Sequence, residues 1–185
     1  LVRNNLKSKF VFGYLGTHGM AHKLDFVVRC AAHIDDPDIH FLFIGNGAEK
    51  ENVVALAKEL SVTNCTFLDS VPKSEIAEYI SLTNVALVNL MKSDTFRTVI
   101  PSKIFENASM QKPILLGVEG ESKEIIEHYG AGLCFEPENE QEFLKAVEIL
   151  KSDRDLYKRL QIGCDRLAHD FDRKKLAAKM LEEVR

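Results

Sequence analysis

The sequence has no tryptophan and only five prolines in 185 residues. No apolar run approaches the ~18 residues that a membrane-spanning helix requires. No charged segment leads into an apolar core, so no export signal is expected. Basic charge is not in excess: 24 Lys and Arg stand against 28 Asp and Glu, a formal net charge of −4. That balance excludes the broad basic footprint of a nucleic-acid binder. Cys30, Cys65, Cys134 and Cys164 form no Cys-x-x-Cys pair. Buried reduced thiols are expected, rather than disulfides or metal ligands. The six histidines form no His-x-His or His-Glu-x-x-His pattern, so no metal site is expected. Repeats, low-complexity tracts and splitting linkers are absent too.

What is present is an alternation. Short apolar runs, Phe10–Leu15, His40–Ile44, Cys65–Leu68, Val85–Leu90, Pro113–Leu116 and Gly132–Phe135, read as strands. Most are continuously apolar, as strands covered on both faces must be. Amphipathic stretches lie between them: His22–Ile34, Ala48–Leu60, Ser74–Leu82, Ser102–Gln111 and Ser122–Tyr129. After Phe135 the pattern becomes helical throughout, over Glu140–Lys151, Asp153–His169 and Arg173–Val184, with Asp153 and Asp172 as N-caps. The order predicts an α/β domain: a Rossmann-like, doubly wound parallel sheet of about six strands with a helical C-terminal tail. In such a sheet ligands bind beyond the carboxyl ends of the strands.

The residues just after each strand are therefore the candidates. After the first strand, Gly16 and Gly19 flank Thr17 and His18, with His22 four residues beyond His18. Glycines here let the backbone approach a phosphate or diphosphate; they also serve an ordinary tight turn. The spacing is not Gly-x-Gly-x-x-Gly, which disfavours a dinucleotide oxidoreductase. Gly45-Asn46-Gly47 and Asp69 read as turns; Asp69 lacks the acidic pair that a phospho-receiver requires after the first strand.

After the fourth strand comes Arg97-Thr98-Val99-Ile100-Pro101-Ser102-Lys103-Ile104-Phe105-Glu106. Pro101 suits the first turn of a helix. Ser102 and Glu106 are four apart and share a helix face. A hydroxyl, an ammonium and a guanidinium there suit a diphosphate, and a carboxylate one turn deeper suits the vicinal hydroxyls of a ribose. The alternative is an exposed helix start with Glu106 paired to Lys103. After the fifth strand, Glu119 and Glu121 face the same crevice, as contacts to sugar hydroxyls or as acidic residues favoured at a helix start.

Gly16-Thr17-His18-Gly19-Met20-Ala21-His22-Lys23-Leu24-Asp25, Pro101-Ser102-Lys103-Ile104-Phe105-Glu106 and Lys112-Pro113-Ile114-Leu115-Leu116-Gly117 with Gly120-Glu121 resemble one family over nearly the whole chain. This is the carboxy-terminal half of bacterial group-one glycosyltransferases, the retaining family-four enzymes of the GT-B fold. The similarity is greatest to the branch that transfers amino sugars such as N-acetyl-L-fucosamine.

The resemblance implies a donor-binding domain, spanning 1–185, of a two-domain enzyme whose acceptor-binding amino-terminal domain is absent here. Its ligand would be a nucleoside-diphosphate sugar, UDP-linked in this branch, its acceptor a glycan or lipid in surface polysaccharide assembly. No cofactor or metal is implied, and the location would be cytoplasmic, with at most peripheral membrane contact. The isolated chain would bind nucleotide but transfer sugar poorly.

Residue by residue, Gly16, Thr17, His18, His22, Ser102 and Lys103 fall at the donor diphosphate. Glu106 matches the second glutamate of the family's Glu-x7-Glu motif, at the ribose. The first glutamate's position holds Thr98, so Arg97 or a backbone group would act at the sugar. Arg97 and Lys103 would assist catalysis by stabilising the leaving diphosphate. Ser70 and Val71 fall at the base, and Glu119 and Glu121 at the donor sugar. The family's cations after the first strand are replaced by Thr17 and His22, which spreads the cationic role over His18, His22, Arg97 and Lys103. Two readings compete: half of a nucleotide-sugar 2-epimerase, which shares the GT-B fold, and a non-catalytic nucleotide-binding module.

Overall fold

The computed structural model describes residues 6–172. Six strands form one parallel sheet: β1 (Phe10–Leu15), β2 (Ile39–Ile44), β3 (Cys65–Leu68), β4 (Val85–Asn89), β5 (Ile114–Gly117) and β6 (Gly132–Cys134). Their order is β3-β2-β1-β4-β5-β6, and every pairing is parallel. After β3 the chain returns to lay β4 beside β1. That reversal separates the loops after β1 and β4 and opens a crevice at the carboxyl ends of the strands.

Among the described residues, seven α-helices cover the sheet: α1 (Leu24–Ala32), α2 (Lys50–Glu59), α3 (Ile76–Ser81), α4 (Lys103–Ala108), α5 (Glu121–Tyr129), α6 (Glu140–Ser152) and α7 (Arg154–Asp170). The period-two alternation of each strand sends side chains to opposite faces. Phe12, Tyr14, Phe41, Phe43, Val85, Leu87 and Leu115 pack with α1 and α6. Ala86, Val88, Ile114 and Leu116 pack with α4, α5 and α7. Both faces are thus apolar, which is why the strands read as unbroken runs.

The strand boundaries match the predicted ones to within a residue. The helices after β1, β2, β3 and β4 are shorter than their sequence patterns suggest. His22 belongs to a separate 3-10 turn (Met20–His22), and Lys23, with φ of 47°, breaks it from α1. Gln111, at φ 54°, stands clear of α4, which ends at Ala108. Pro101 precedes α4 by two residues rather than lying in its first turn. Asp153 caps α7 as expected, accepting from Leu156 N at 2.8 Å. The helix predicted over Arg173–Val184, and with it the capping role of Asp172, lies outside the described residues.

All four cysteines are free thiols, two buried and two half-buried, and burial pushes each up to about 12. Such thiols are unreactive at neutral pH. Among the described residues, no helix is long and apolar enough to cross a membrane, and no group of three or more His, Cys, Asp or Glu is placed to hold a metal ion.

Candidate functional site

A cleft of about 360 Å³ opens at the carboxyl edge of the sheet. The end of β1 supplies Leu15, Gly16 and Thr17, and the end of β2 supplies Ile44, Gly45 and Asn46. Ser70 and Val71 after β3, with Ile76 and Ile80 of α3, form an apolar flank. Ser102, Lys103, Glu106 and Asn107, at the start of α4, close the other side. Helical spacing explains this last set: Ser102 with Glu106, and Lys103 with Asn107, are i, i+4 neighbours on one side of the helix.

Lys103 is the cation of this cleft. Its ammonium reaches across the crevice to β1, donates to Tyr14 Oη at 3.1 Å and lies 4.1 Å from the centre of that ring. Among the described residues Tyr14 Oη is its one hydrogen-bond acceptor, and the half-buried ammonium keeps N–H bonds for a ligand in the cleft. Desolvation pulls Lys103 down from 10.5 to about 8, against the nearby Glu106 charge, which favours the ammonium. A half-buried ammonium that opens onto a cleft with N–H bonds to spare is a receptor for an anion. Asn107 supports the arrangement by donating from Nδ2 to Lys103 O at 2.8 Å. Its Oδ1 is buried without a hydrogen-bond partner.

The histidines depart from the cationic reading. His18 is fully buried, and neither ring nitrogen has a hydrogen-bond partner. Burial, with Lys50 and Lys103 nearby, lowers His18 to about 4; burial, Lys103 and His18 lower His22 likewise. Both rings are neutral at pH 7, and neither lines the cleft. They pack edge-on against Tyr14, with ring centres 5.8 Å away in each case. The amides of the first turn are also largely committed. Gly16 N donates to Ile44 O at 2.8 Å and His18 N to Asn46 O at 3.0 Å.

Arg97, Glu119 and Glu121 lie elsewhere on the carboxyl edge. Arg97 is exposed, with Asp94 3.8 Å away, and its carbonyl accepts from Glu121 N at 2.8 Å. Glu119 lies near Lys92, which pairs with Glu136. None of these three side chains lines the cleft with Lys103. The structure thus brings together Gly16, Thr17, Ser70, Val71, Ser102, Lys103 and Glu106.

Three further residues shape the site. Tyr14 was hidden in an apolar strand and Asn107 in a helix. Lys50 follows a turn and has no motif around it. Its ammonium shares its three N–H bonds among Gly45 O at 2.9 Å, Asn46 Oδ1 at 2.8 Å, Leu68 O at 2.9 Å and Asp69 Oδ1 at 2.6 Å. It ties the ends of β2 and β3 into one wall.

A parallel sheet in this order, with its cleft at the strand reversal, defines a Rossmann-like α/β domain. The family model for glycosyl transferases group 1 matches residues 2–163, and the chain belongs to that family. It is 28% identical over 128 residues to the probable glycosyltransferase WbjE of Pseudomonas aeruginosa, covering 68% of this chain and 32% of that protein. The chain therefore spans about a third of that relative's length. Among solved structures it superposes on HepE of Anabaena in complex with UDP, with a TM-score of 0.86 at 15% identity, over 99% of this chain and 50% of HepE. WaaG, a glycosyltransferase involved in lipopolysaccharide biosynthesis, superposes with a TM-score of 0.75 at 14% identity, over 92% of this chain and 46% of WaaG. These likenesses show the fold: a Rossmann-like α/β domain matching those of GT-B glycosyltransferases.

Proposed function

We propose that this chain is the donor-binding half of a retaining glycosyltransferase. The whole enzyme transfers a sugar from UDP to a glycan or lipid-linked acceptor in surface polysaccharide assembly, with the N-acetyl-L-fucosamine type of transferase as the nearest branch. An amino-terminal acceptor domain completes the enzyme, and the isolated chain binds nucleotide without efficient transfer. The reaction is cytoplasmic, with peripheral membrane contact at most. UDP in HepE and the lipopolysaccharide role of WaaG support the donor and the pathway class.

The observation that carries the reading is the convergence of Gly16, Lys103 and Glu106 on one cleft. Lys103 meets the diphosphate, where negative charge grows as the bond to the anomeric carbon breaks. A fixed donor there is worth roughly 2.7–4 kcal/mol in the transition state. Thr17 and Ser102 add hydroxyls at the same anion. Glu106 accepts from the ribose hydroxyls. Ser70 and Val71 border the base, against the apolar flank of Ile76 and Ile80. No metal enters the proposal. Arg97, Glu119 and Glu121 are assigned to the donor sugar, beyond the cleft that holds the nucleotide.

Calorimetric titration with UDP, GDP, ADP and CDP tests it. UDP is expected to bind most tightly. Lys103→Ala is expected to weaken it about 10- to 100-fold, the worth of one charged hydrogen bond, and Glu106→Ala by a smaller factor. Wild-type affinity in both variants would refute the assignment.

A further inference from the structure

Tyr14 has none of the roles assigned above. It stands in β1 two residues before Gly16 and is 1% exposed. Its hydroxyl proton is committed, because Oη donates to Thr17 O at 2.6 Å. The oxygen can therefore only accept from Lys103 Nζ, which lies 3.1 Å away. The ring cannot tilt, since His18 and His22 abut it edge-on. Above it a β-carbon on Gly16 would lie 2.6 Å from Lys103 Cε and closer still to Nζ. The ammonium thus rests in a seat made of a hydroxyl, an aromatic face and a bare glycine.

We propose that Tyr14 is a positioning residue for the diphosphate: it seats the Lys103 ammonium over Gly16, with its other N–H bonds directed to an anion in the cleft. This rests on the donor-site reading above. A lysine side chain has four rotatable bonds, and holding it still costs rotamer entropy. A seat that holds it before the ligand arrives removes that cost from binding. The groups that face Lys103 are Glu106 on α4, Tyr14 on β1, His18 in the first loop and His22 in the 3-10 turn; Lys50 of α2 acts on His18. Glu106 is the carboxylate of this set, and it opposes the desolvation that favours the free amine.

UDP titrations of this chain from pH 6.5 to 9.5 test the seat. Tyr14→Phe keeps the ring and removes the acceptor. It is expected to weaken UDP about 5- to 20-fold at pH 7, the worth of one hydrogen bond. It is also expected to move the alkaline loss of affinity to lower pH, because the ammonium loses its partner. In a Lys103→Ala background the same change is expected to do nothing further. Lys103→Arg, which keeps the charge but does not fit the seat, is expected to bind at least about tenfold more weakly. A wild-type affinity and pH profile in Tyr14→Phe, or an equal loss in the Lys103→Ala background, overturns the inference and leaves the donor site standing. Absence of UDP binding in the unaltered chain overturns both. If Tyr14→Phe does not fold, Lys103→Arg decides: wild-type affinity in that variant overturns the seat.

Discussion

The Lys103 ammonium occupies the space that a β-carbon on Gly16 would fill. Gly16 also has φ of 150°, a conformation that side chains rarely adopt. Gly16→Ala is therefore expected to cost about 1–3 kcal/mol in strain and to push Lys103 off Tyr14. Melting curves and UDP titrations check this together. Both the melting temperature and the affinity should fall; an intact affinity would detach Gly16 from the anion site.

Lys103 trades stability for binding. The unfolded chain holds this proton up to about 10.5, whereas the folded chain releases it near 8. Between those values the unfolded state binds more protons, so stability rises with pH across that window. Below pH 8 the folded state carries the full penalty. Lys103→Met is expected to raise the melting temperature at pH 7 and to weaken UDP binding in the same protein. A lower melting temperature would show that the ammonium is already satisfied.

Ligand binding should reverse that titration. A diphosphate beside Lys103 favours the ammonium, so binding near pH 8 is expected to draw about half a proton per site from the buffer. Calorimetry in buffers of different ionisation enthalpy reads this directly. Affinity should decline as pH rises through the Lys103 titration, and Lys103→Ala should abolish both the uptake and the decline.

His18 and His22 give the opposite limb. Each is lowered from 6.5 to about 4. As pH falls between those values the unfolded chain takes up protons that the folded rings refuse, and stability is lost. Melting temperatures measured from pH 7 to 4.5 should drop steadily. The His18→Gln, His22→Gln double variant should flatten that slope, even if it melts lower throughout.

Lys50 tests the wall rather than the anion seat. Removing its ammonium strands one backbone carbonyl, Gly45 O, at the cleft edge and leaves Leu68 O with Gly45 N as its donor. Lys50→Met is expected to cost about 2 kcal/mol, or roughly 4–8 °C in melting temperature. UDP affinity should fall as well, because Asn46 and Gly45 line the cleft. An affinity loss without a stability loss would mean that Lys50 reaches the ligand itself.

Much of this architecture was legible in the order of residues. Strands covered on both faces announce themselves as unbroken apolar runs, and the Pro101–Glu106 stretch carries its chemistry at helical spacing. What stayed hidden depends on contacts distant in sequence. His18, between a threonine and a glycine, looks solvent-exposed until Gly45 and Gly47 close over it. Tyr14 reads as core because nothing in a strand reveals that an ammonium 89 residues away will rest on its hydroxyl. The first-turn amides looked available because the β2 loop that consumes them is not adjacent in sequence. Arg97, Glu119 and Glu121 follow the right strands, yet the strand order sets them to one side of the Lys103 cleft.

The ladder between β1 and β2 does not end with the strands. Gly16 N to Ile44 O, His18 N to Asn46 O and Glu49 N to His18 O carry it onward into both loops. That rim is therefore a continuation of the sheet and yields only if the sheet frays. The facing segment, residues 92–102, is held instead by separate contacts such as Lys92 with Glu136, the Arg97 carbonyl with Glu121 N and the Val99 carbonyl with Ser122 Oγ. Amide exchange is expected to be slow at Gly16 and His18 and faster across 93–100, where the amides bond within local turns.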